Sequence, residues 1–165
     1  MPLEQQIPLL LKTISFDRNL KSRVGGRIVL GVVYQQNVRN SSDVKRRFFE
    51  ILERAGIDRI EDIPIQFVSV DLSSAENLES VIAVRGINFL YVAPIRAFNI
   101  DVFVQMAREK QVLTLTGVPE YVEDGLAIGI GSKGEKPCIM INLQAARAVG
   151  ANFDSRLLNL AKVIE

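Results

Sequence analysis

The sequence predicts a three-layer α/β domain with a mostly parallel sheet and crossover helices. Four apolar runs rich in β-branched residues recur in residues 27–117, and segments with helical spacing or capping residues separate them. Continuous apolar runs are typical of strands covered on both faces, and strand–helix alternation is typical of a parallel sheet. The length of 165 residues fits one domain, so we assign residues 1–165 to a single α/β domain.

The chain is predicted to begin with a helix inside residues 3–20. Apolar side chains recur there at helical spacing, at Leu3, Ile7, Leu10, Leu11 and Ile14. Pro8 interrupts this pattern and is interpreted as a marker of the helix start. After the turn Val24-Gly25-Gly26, RIVLGVVYQ (27–35) is predicted as the first strand.

A second helix is predicted over 43–55. Asn40-Ser41-Ser42 offers N-cap residues immediately before it. Gly56 follows it, where a left-handed residue commonly ends a helix. Its apolar stripe is formed by Val44, Phe48, Leu52 and Ala55.

Three more strands follow, with two helices between them. The strands are predicted at IQFVSVDL (65–72), INFLYVA (87–93) and QVLTLTG (111–117). Ser73 and Glu76 have the spacing of a capping box, which predicts a helix to about Val84 that ends before Gly86. Asn99 or Asp101 is predicted to start the next helix, which runs to about Lys110.

Residues 129–134 read GIGSKG and match the G-x-G-x-x-G pattern of a dinucleotide-binding loop. A true loop of that kind follows a strand and opens a helix. Here Pro137 and the apolar run CIMINL follow, so we predict a β-hairpin over 125–143 instead. Gly129 and Gly131 then lie within a strand, where they allow close packing or a bulge. A terminal helix is predicted at about 154–164, with Leu157, Leu160, Ala161 and Ile164 on its buried face.

The composition argues against an enzyme. There is no His, which removes the commonest general base and excludes Ser-His-Asp and Cys-His nucleophile systems. With Cys138 as the one cysteine, zinc sites of the usual kind are also excluded, and we interpret Cys138 as a small buried hydrophobe. We therefore expect no catalytic residues, no metal site and no cofactor.

Charge and N-terminus add little about partners. A net charge of +1 gives no electrostatic reason to expect nucleic acid. The first residues lack the basic start of a signal peptide, since the acidic Glu4 precedes a short apolar stretch. The protein is then either cytoplasmic or the product of removing a leader.

A polar rim is predicted where the parallel strands end, which is the usual ligand edge of an open α/β sheet. Such a rim could hold a small anion or an amino acid, with Arg96 as its cation. The alternative is that the serines only cap helices and Arg96 is a solvated surface charge. The candidate ligand-binding residues are Tyr34, Gln35, Ser41, Ser42, Asp71, Arg96, Thr116 and Gly117.

The C-terminal tail, PCIMINLQAARAVGANFDSRLLNLAKVIE (137–165), resembles the signature of the YfiR family of bacterial proteins. That signature is a strand ending in I-N-L, an A-A-R/K segment, a Gly, a Ser, and L-L-x-L-A-x-V-[IV]. The matching residues are Ile141-Asn142-Leu143, Ala145-Ala146-Arg147, Gly150, Ser155 and Leu157 to Ile164. Upstream, VLTLTGVPEYVEDGLAIGI and RIVLGVVYQ are similar to the family's hairpin region and first core strand.

The resemblance implies a non-enzymatic, periplasmic regulatory domain whose leader has been removed. Family members of this type bind the periplasmic part of a membrane-bound diguanylate cyclase, which lowers cyclic-di-GMP. They also carry paired cysteines, whereas this chain has Cys138 alone.

Two function classes therefore stand beside each other. A regulatory module should present an exposed apolar surface for a protein partner or for self-association as a homodimer. A solute-binding module, resembling one lobe of a periplasmic transport receptor, should instead have a polar cleft for a small anion or an amino acid.

Overall fold

The computed structural model describes residues 2–74 and 77–165 and has a central sheet between two layers of helices. The helices are α1 (Leu3–Ile14), α2 (Leu20–Val24), α3 (Arg39–Ala55), α4 (Leu78–Arg85), α5 (Ile100–Lys110), α6 (Pro119–Glu123), α7 (Leu143–Ala148) and α8 (Ser155–Leu160). The strands are β1 (Ile28–Tyr34), β2 (Arg59–Ile60), β3 (Ile63–Asp71), β4 (Phe89–Val92), β5 (Leu113–Thr116), β6 (Ile128–Lys133), β7 (Lys136–Asn142) and β8 (Lys162–Ile164).

The sheet has eight strands in the order β2-β3-β1-β4-β5-β6-β7-β8. The pairings β1–β3, β1–β4, β4–β5 and β5–β6 are all parallel, whereas β6–β7 and β2–β3 are antiparallel. Helices α3, α4, α5 and α6 connect successive parallel strands. The predicted three-layer, mostly parallel α/β fold is therefore confirmed.

Burial on both faces explains the continuous apolar strands. All seven residues of β1 are buried, and alternate side chains enter two separate cores. Ile28, Leu30 and Val32 join the core beneath α1 and α3, whereas Val29 and Val33 join the core beneath α4 and α5. A strand of this kind has no solvent face, which is why it shows no polar alternation.

The predicted first helix is confirmed, and its five apolar side chains are all buried. Pro8 does not mark its start, because the helix begins at Leu3 and Pro8 lies inside it. Proline is unfavourable inside a helix, but the apolar face of α1 packs on the sheet, and this packing stabilises the helix despite Pro8.

Two predicted helix starts are wrong. Helix α3 begins at Arg39 with Val38 as N-cap, so Ser41 and Ser42 lie within the helix and do not cap it. Helix α4 begins at Leu78, and its cap is Asn77, whose side chain accepts from two backbone N–H groups. The predicted capping box cannot be described as a pair, because Glu76 lies outside the described residues.

Other boundaries agree with the prediction. The Asn99 side chain accepts from the Asp101 backbone N–H at 2.9 Å and starts α5. Gly56 follows α3 with a left-handed φ of 62°. Within the predicted stripe of α3, Phe48 and Leu52 are buried, whereas Ala55 is exposed.

GIGSKG forms the predicted hairpin. Strands β6 and β7 pair antiparallel up to Lys133 opposite Lys136, with Gly134 in the turn at a φ of 66°. A Cβ at Gly129 would lie 2.4 Å from Val122 Cγ2, so this glycine allows α6 to pack closely on β6. Cys138, predicted to be buried, is only half-buried in β7.

The predicted terminal helix is half wrong. Helix α8 ends at Leu160, and residues Lys162–Ile164 form strand β8, which pairs parallel with β7. Leu157 is buried as predicted, but Leu160 is 82% exposed. The unpaired edge of β7 offers backbone hydrogen bonds to the last residues, which a continued helix would leave unmade.

The buried carboxylate of Asp17 connects the N-terminal part of the chain to this C-terminal tail. Asp17 accepts from the backbone N–H groups of Asn19 and Asn152 at 2.9 Å through one oxygen. Its other oxygen lies 3.4 Å from Nε of Arg23, a contact that lacks hydrogen-bond geometry. Burial lowers the pKa of Arg23, and the Asp17 charge opposes that shift. The guanidinium also lies 5.5 Å from the centre of the Phe89 ring.

Among the helices in residues 2–74 and 77–165, none is both long and apolar enough to cross a membrane.

Candidate functional site

The parallel strands place the candidate site at their carboxyl edge. Strand β1 has β3 on one side and β4 on the other, so successive crossovers leave it in opposite directions. Open sheets of this kind usually bind ligands at that point, where the loops after the two strands separate. Here the loops begin at Gln35 after β1 and at Ala93 after β4.

The side chain of Gln35 bridges those two loops. Its Oε1 accepts from the Arg96 backbone N–H at 2.7 Å, and its Nε2 donates to the Arg96 carbonyl at 2.8 Å. The Gln35 backbone N–H donates to Ser41 Oγ at 2.8 Å. A predicted ligand-binding side chain is therefore engaged in holding the β1–β4 crevice closed.

The neighbouring polar residues also bind the protein itself. Ser41 is fully buried beneath the Gln35 amide, and Ser42 Oγ donates to the Arg39 carbonyl. Asp71 Oδ1 accepts from the backbone N–H groups of Gln36 at 3.0 Å and Ser73 at 2.9 Å. These bonds order the loops after β1 and β3, and the ligand role predicted for these residues stays a prediction.

Tyr34 and Arg96 complete this part of the rim. Partial burial raises the pKa of Tyr34, and the Asp71 charge adds to the shift. Lys45 of α3 lies 5.1 Å from the centre of the Tyr34 ring. The Arg96 side chain is exposed, and the chain turns sharply after it, since Ala97 has a left-handed φ of 52°.

The ends of β4 and β5 differ from this closed crevice. Thr116 is fully buried, donates to the Val92 carbonyl at 2.9 Å and accepts from the Val118 backbone N–H. Gly117 lines a cleft of about 180 Å³ beneath α1 and α3, which we call the β4/β5 cleft. Besides Gly117 and Val118, its lining residues are Leu3, Gln6, Val44, Arg47, Tyr91 and Pro94.

Three lining residues of this cleft, Gln6, Arg47 and Tyr91, are not among the predicted site residues. The first two belong to helices whose approach to the strand ends is a tertiary feature. Tyr91 did carry a signal, since a tyrosine inside a buried strand normally requires a hydrogen-bond partner. Burial raises the pKa of Tyr91 above its usual value.

A second concave surface is apolar and lies between α1, β7 and α8. We call it the α8 groove; it has a volume of about 210 Å³ and is lined by Leu9, Lys12, Thr13, Phe16, Ile139, Arg156, Leu157 and Leu160. Leu160 stands at its border with 82% of its surface exposed. Helix α8 begins at its N-cap Asp154, whose carboxylate accepts from the Arg156 backbone N–H and binds the Arg156 guanidinium through both oxygens.

Groups of acidic, His or Cys residues suited to a metal ion are absent from residues 2–74 and 77–165.

Solved structures from several bacteria have a similar fold. A conserved domain protein from Vibrio cholerae O1 biovar eltor is 16% identical with a TM-score of 0.70, and the match covers 99% of this chain and 60% of that one. The ABC domain in complex with L-Trp from Streptococcus pneumoniae is 15% identical with a TM-score of 0.58, covering 93% and 62%. The ligand-free, open structure of a substrate binding protein with adhesive properties from Clostridium difficile is 14% identical with a TM-score of 0.61, covering 89% and 57%.

At these identities the likeness concerns the fold alone, and the chain spans about 57–62% of the length of the three structures. A comparison with curated protein sequences gives no match. The family model described as DUF4154, YfiR/HmsC-like, matches residues 15–162, which is nearly the whole chain. The chain therefore belongs to the YfiR/HmsC-like family.

Proposed function

We propose that this protein is a non-enzymatic, periplasmic regulatory domain that acts by binding a membrane-bound signalling protein. The family supports a regulatory role rather than a catalytic one. A diguanylate cyclase with a periplasmic part is the partner that the family resemblance favours. Binding would restrain the cyclase and lower cyclic-di-GMP.

The observation that carries this proposal is the exposed Leu160 beside the apolar α8 groove. A leucine with 82% of its surface in water gains free energy when a partner covers it, at about 25 cal/mol per Å² of apolar area. Leu9, Phe16 and Ile139 extend the apolar surface next to it. Contiguous apolar surface of this kind is typical of protein interaction sites.

The charges at the groove indicate what the partner segment contains. Lys12 and Arg156 stand at its border, and the Arg156 charge is already partly neutralised by Asp154 at 3.0 Å. A segment with two or three apolar side chains and a flanking Asp or Glu near Lys12 would complement the groove. Opposite charges of this kind mainly increase the association rate and select the partner.

The test compares two serine variants, each at an apolar residue that is more than 80% exposed. Leu160→Ser removes the apolar side chain at the groove, and Val84→Ser does the same on α4, where Val84 is 84% exposed. The wild-type domain and both variants would be exported to the periplasm of the native host. Membrane-bound diguanylate cyclase would be recovered by cross-linking, and cellular cyclic-di-GMP would be measured.

We expect the wild type and Val84→Ser to lower cyclic-di-GMP and to cross-link to a cyclase, whereas Leu160→Ser should do neither. If Leu160→Ser acts like the wild type, the α8 groove is not the interface. If none of the three proteins alters cyclic-di-GMP, the cyclase proposal fails. Sedimentation of the same proteins would show whether Leu160 instead supports a homodimer.

A further inference from the structure

The Tyr91 hydroxyl lies in the β4/β5 cleft without a protein partner. Tyr91 is 1% exposed, and no residue among 2–74 and 77–165 forms a hydrogen bond with its hydroxyl. The Tyr91 hydroxyl does not count among the fully enclosed unpaired atoms of the described residues, so it is open to the cleft, where water or a guest molecule can form its hydrogen bond. The cleft therefore presents a polar group with which a guest molecule can form a hydrogen bond.

Gly117 keeps this hydroxyl accessible. A Cβ at residue 117 would lie 2.3 Å from Gln6 Oε1 and 3.1 Å from the Tyr91 hydroxyl oxygen. Any larger side chain would thus occupy the space between the two polar groups. Gly117 does not have a left-handed φ, so the close approach, rather than backbone conformation, is what requires a glycine here.

Arg47 brings a positive charge to the cleft, with the negative charge of Glu4 next to it. Arg47 lines the cleft, and its Nη2 lies 2.6 Å from Glu4 Oε1. Both side chains are about half-exposed, so neither is locked into the protein interior. A guanidinium next to a carboxylate matches a molecule that carries a carboxylate next to an ammonium group.

The cleft also has apolar lining residues, and its space is small. Leu3, Val44 and Val118 line the cleft together with Tyr91 and Arg47. The volume of about 180 Å³ is below the range of about 300–1,000 Å³ typical of drug-sized ligands. The cleft therefore suits a molecule of amino-acid size.

We propose that the β4/β5 cleft binds a free amino acid with a short, uncharged, polar side chain. The α-carboxylate and α-ammonium groups pair with Arg47 and Glu4, and the end of the side chain forms a hydrogen bond with the Tyr91 hydroxyl. This site is separate from the α8 groove and does not depend on the partner proposed above.

The probes are L-asparagine and L-glutamine, with L-leucine for comparison. Each would be titrated into the ¹⁵N-labelled protein while the backbone amide signals of Gly117 and Val118 are followed by NMR. We expect saturable shifts with at least one of the polar amino acids and at least threefold weaker binding of L-leucine. Absence of saturable shifts with both polar probes, or equal affinity for L-leucine, would overturn the proposal.

Two variants test the geometry, and Val84→Ser on α4 serves as the control. Tyr91→Phe removes one oxygen atom and should weaken binding roughly threefold to tenfold, the range of one net hydrogen bond. Gly117→Ala should abolish binding, since its methyl group fills the space beside the hydroxyl. If Gly117→Ala does not fold, Tyr91→Phe decides the question alone. Wild-type affinity in Tyr91→Phe would overturn the proposed role of the hydroxyl.

Discussion

The β1–β4 crevice and the α8 groove differ in how far their side chains are already satisfied. In the crevice, Gln35 binds the Arg96 backbone through two hydrogen bonds, and Asp71 accepts from two backbone N–H groups. In the groove, apolar side chains line the surface and Leu160 is largely exposed to water. The crevice contains the residue types expected of a ligand site, yet the groove has the unmet contacts.

This difference favours the α8 groove over the crevice as the proposed interaction surface. A polar side chain that already holds two loops together must break those bonds before it can bind a ligand, and each costs free energy. An exposed leucine breaks no hydrogen bond when it is covered, and its apolar surface leaves water. Each region also depends on one side chain, Gln35 in the crevice and Asp17 at the tail that carries α8.

The largest expected effect on stability should come from removing the contacts of Asp17. Asp17→Ala leaves Arg23 buried without its anionic partner and frees the Asn152 backbone N–H. Breaking a buried ion pair in this way should lower the free energy of unfolding by about 3–5 kcal/mol, measured by urea denaturation. Helix α8 should loosen with it, because residues 152–154 lead directly into that helix.

Lys21→Ala is the matched control for this prediction. It removes an ion pair of 3.2 Å with Asp62 in which both side chains are more than 70% exposed. Solvent screens an exposed pair of this kind almost completely, so the control should retain nearly the full stability. Equal losses of unfolding free energy in Asp17→Ala and Lys21→Ala would show that the buried contacts of Asp17 do not stabilise the fold.

The next largest effect concerns the crevice. Gln35→Ala removes two hydrogen bonds to the Arg96 backbone and should lower the free energy of unfolding by about 1–3 kcal/mol. Hydrogen exchange at the Arg96 amide should also become faster, which the same sample can report. Gln36→Ala is the control, since Gln36 binds Asp71 through its backbone N–H. An unchanged Arg96 exchange rate in Gln35→Ala would mean that the crevice is held by other contacts.

The fold was largely predictable because its signals are local. Buried strands such as 27–35 contain little besides apolar, β-branched residues, and Pro137 excludes a helix after GIGSKG. The helix starts were less predictable: Ser73 and Asn77 both favour capping, and the local sequence does not decide which of them begins α4. The switch from helix to strand after Leu160 depends on the free edge of β7, which the local sequence does not show.

The site was less predictable than the fold. The eight rim residues were predicted from their position at strand ends. Of these eight, Gly117 lines the β4/β5 cleft. Whether a glutamine or serine is free or engaged depends on a partner up to 61 residues away, as for Gln35 and Arg96. Sequence spacing carries no signal for such a pair.

A smaller effect should appear in the pH dependence of stability, through the N-cap of α8. The bidentate contact with Arg156 lowers the pKa of Asp154 to about 2. Because the folded state lowers this pKa, Asp154 stabilises the fold above about pH 4, the pKa of an unfolded aspartate. That contribution is lost as the pH falls from about 4 to about 2.

Asp154→Asn isolates this contribution, because asparagine is an equally good N-cap. Urea denaturation of wild type and variant should show a stability difference at pH 5 that shrinks steadily toward pH 2, on the scale of about one exposed ion pair. A difference in unfolding free energy that stays constant from pH 5 to pH 2 would show that the Asp154 charge does not stabilise α8.

The smallest effect on stability should come from Arg96. Its backbone is held by Gln35, whereas its guanidinium forms no ion pair or hydrogen bond with any residue among 2–74 and 77–165. Arg96→Ala should therefore change the free energy of unfolding by no more than about 0.5 kcal/mol. Should an anionic ligand or partner use this rim, the variant would bind it more weakly by about 1.5–3 kcal/mol, the scale of a hydrogen bond to a charged group. Arg108→Ala, an exposed arginine on α5, controls for the change in net charge. A marked loss of stability in Arg96→Ala without a matching loss in Arg108→Ala would show that the guanidinium supports the fold and is not free to bind.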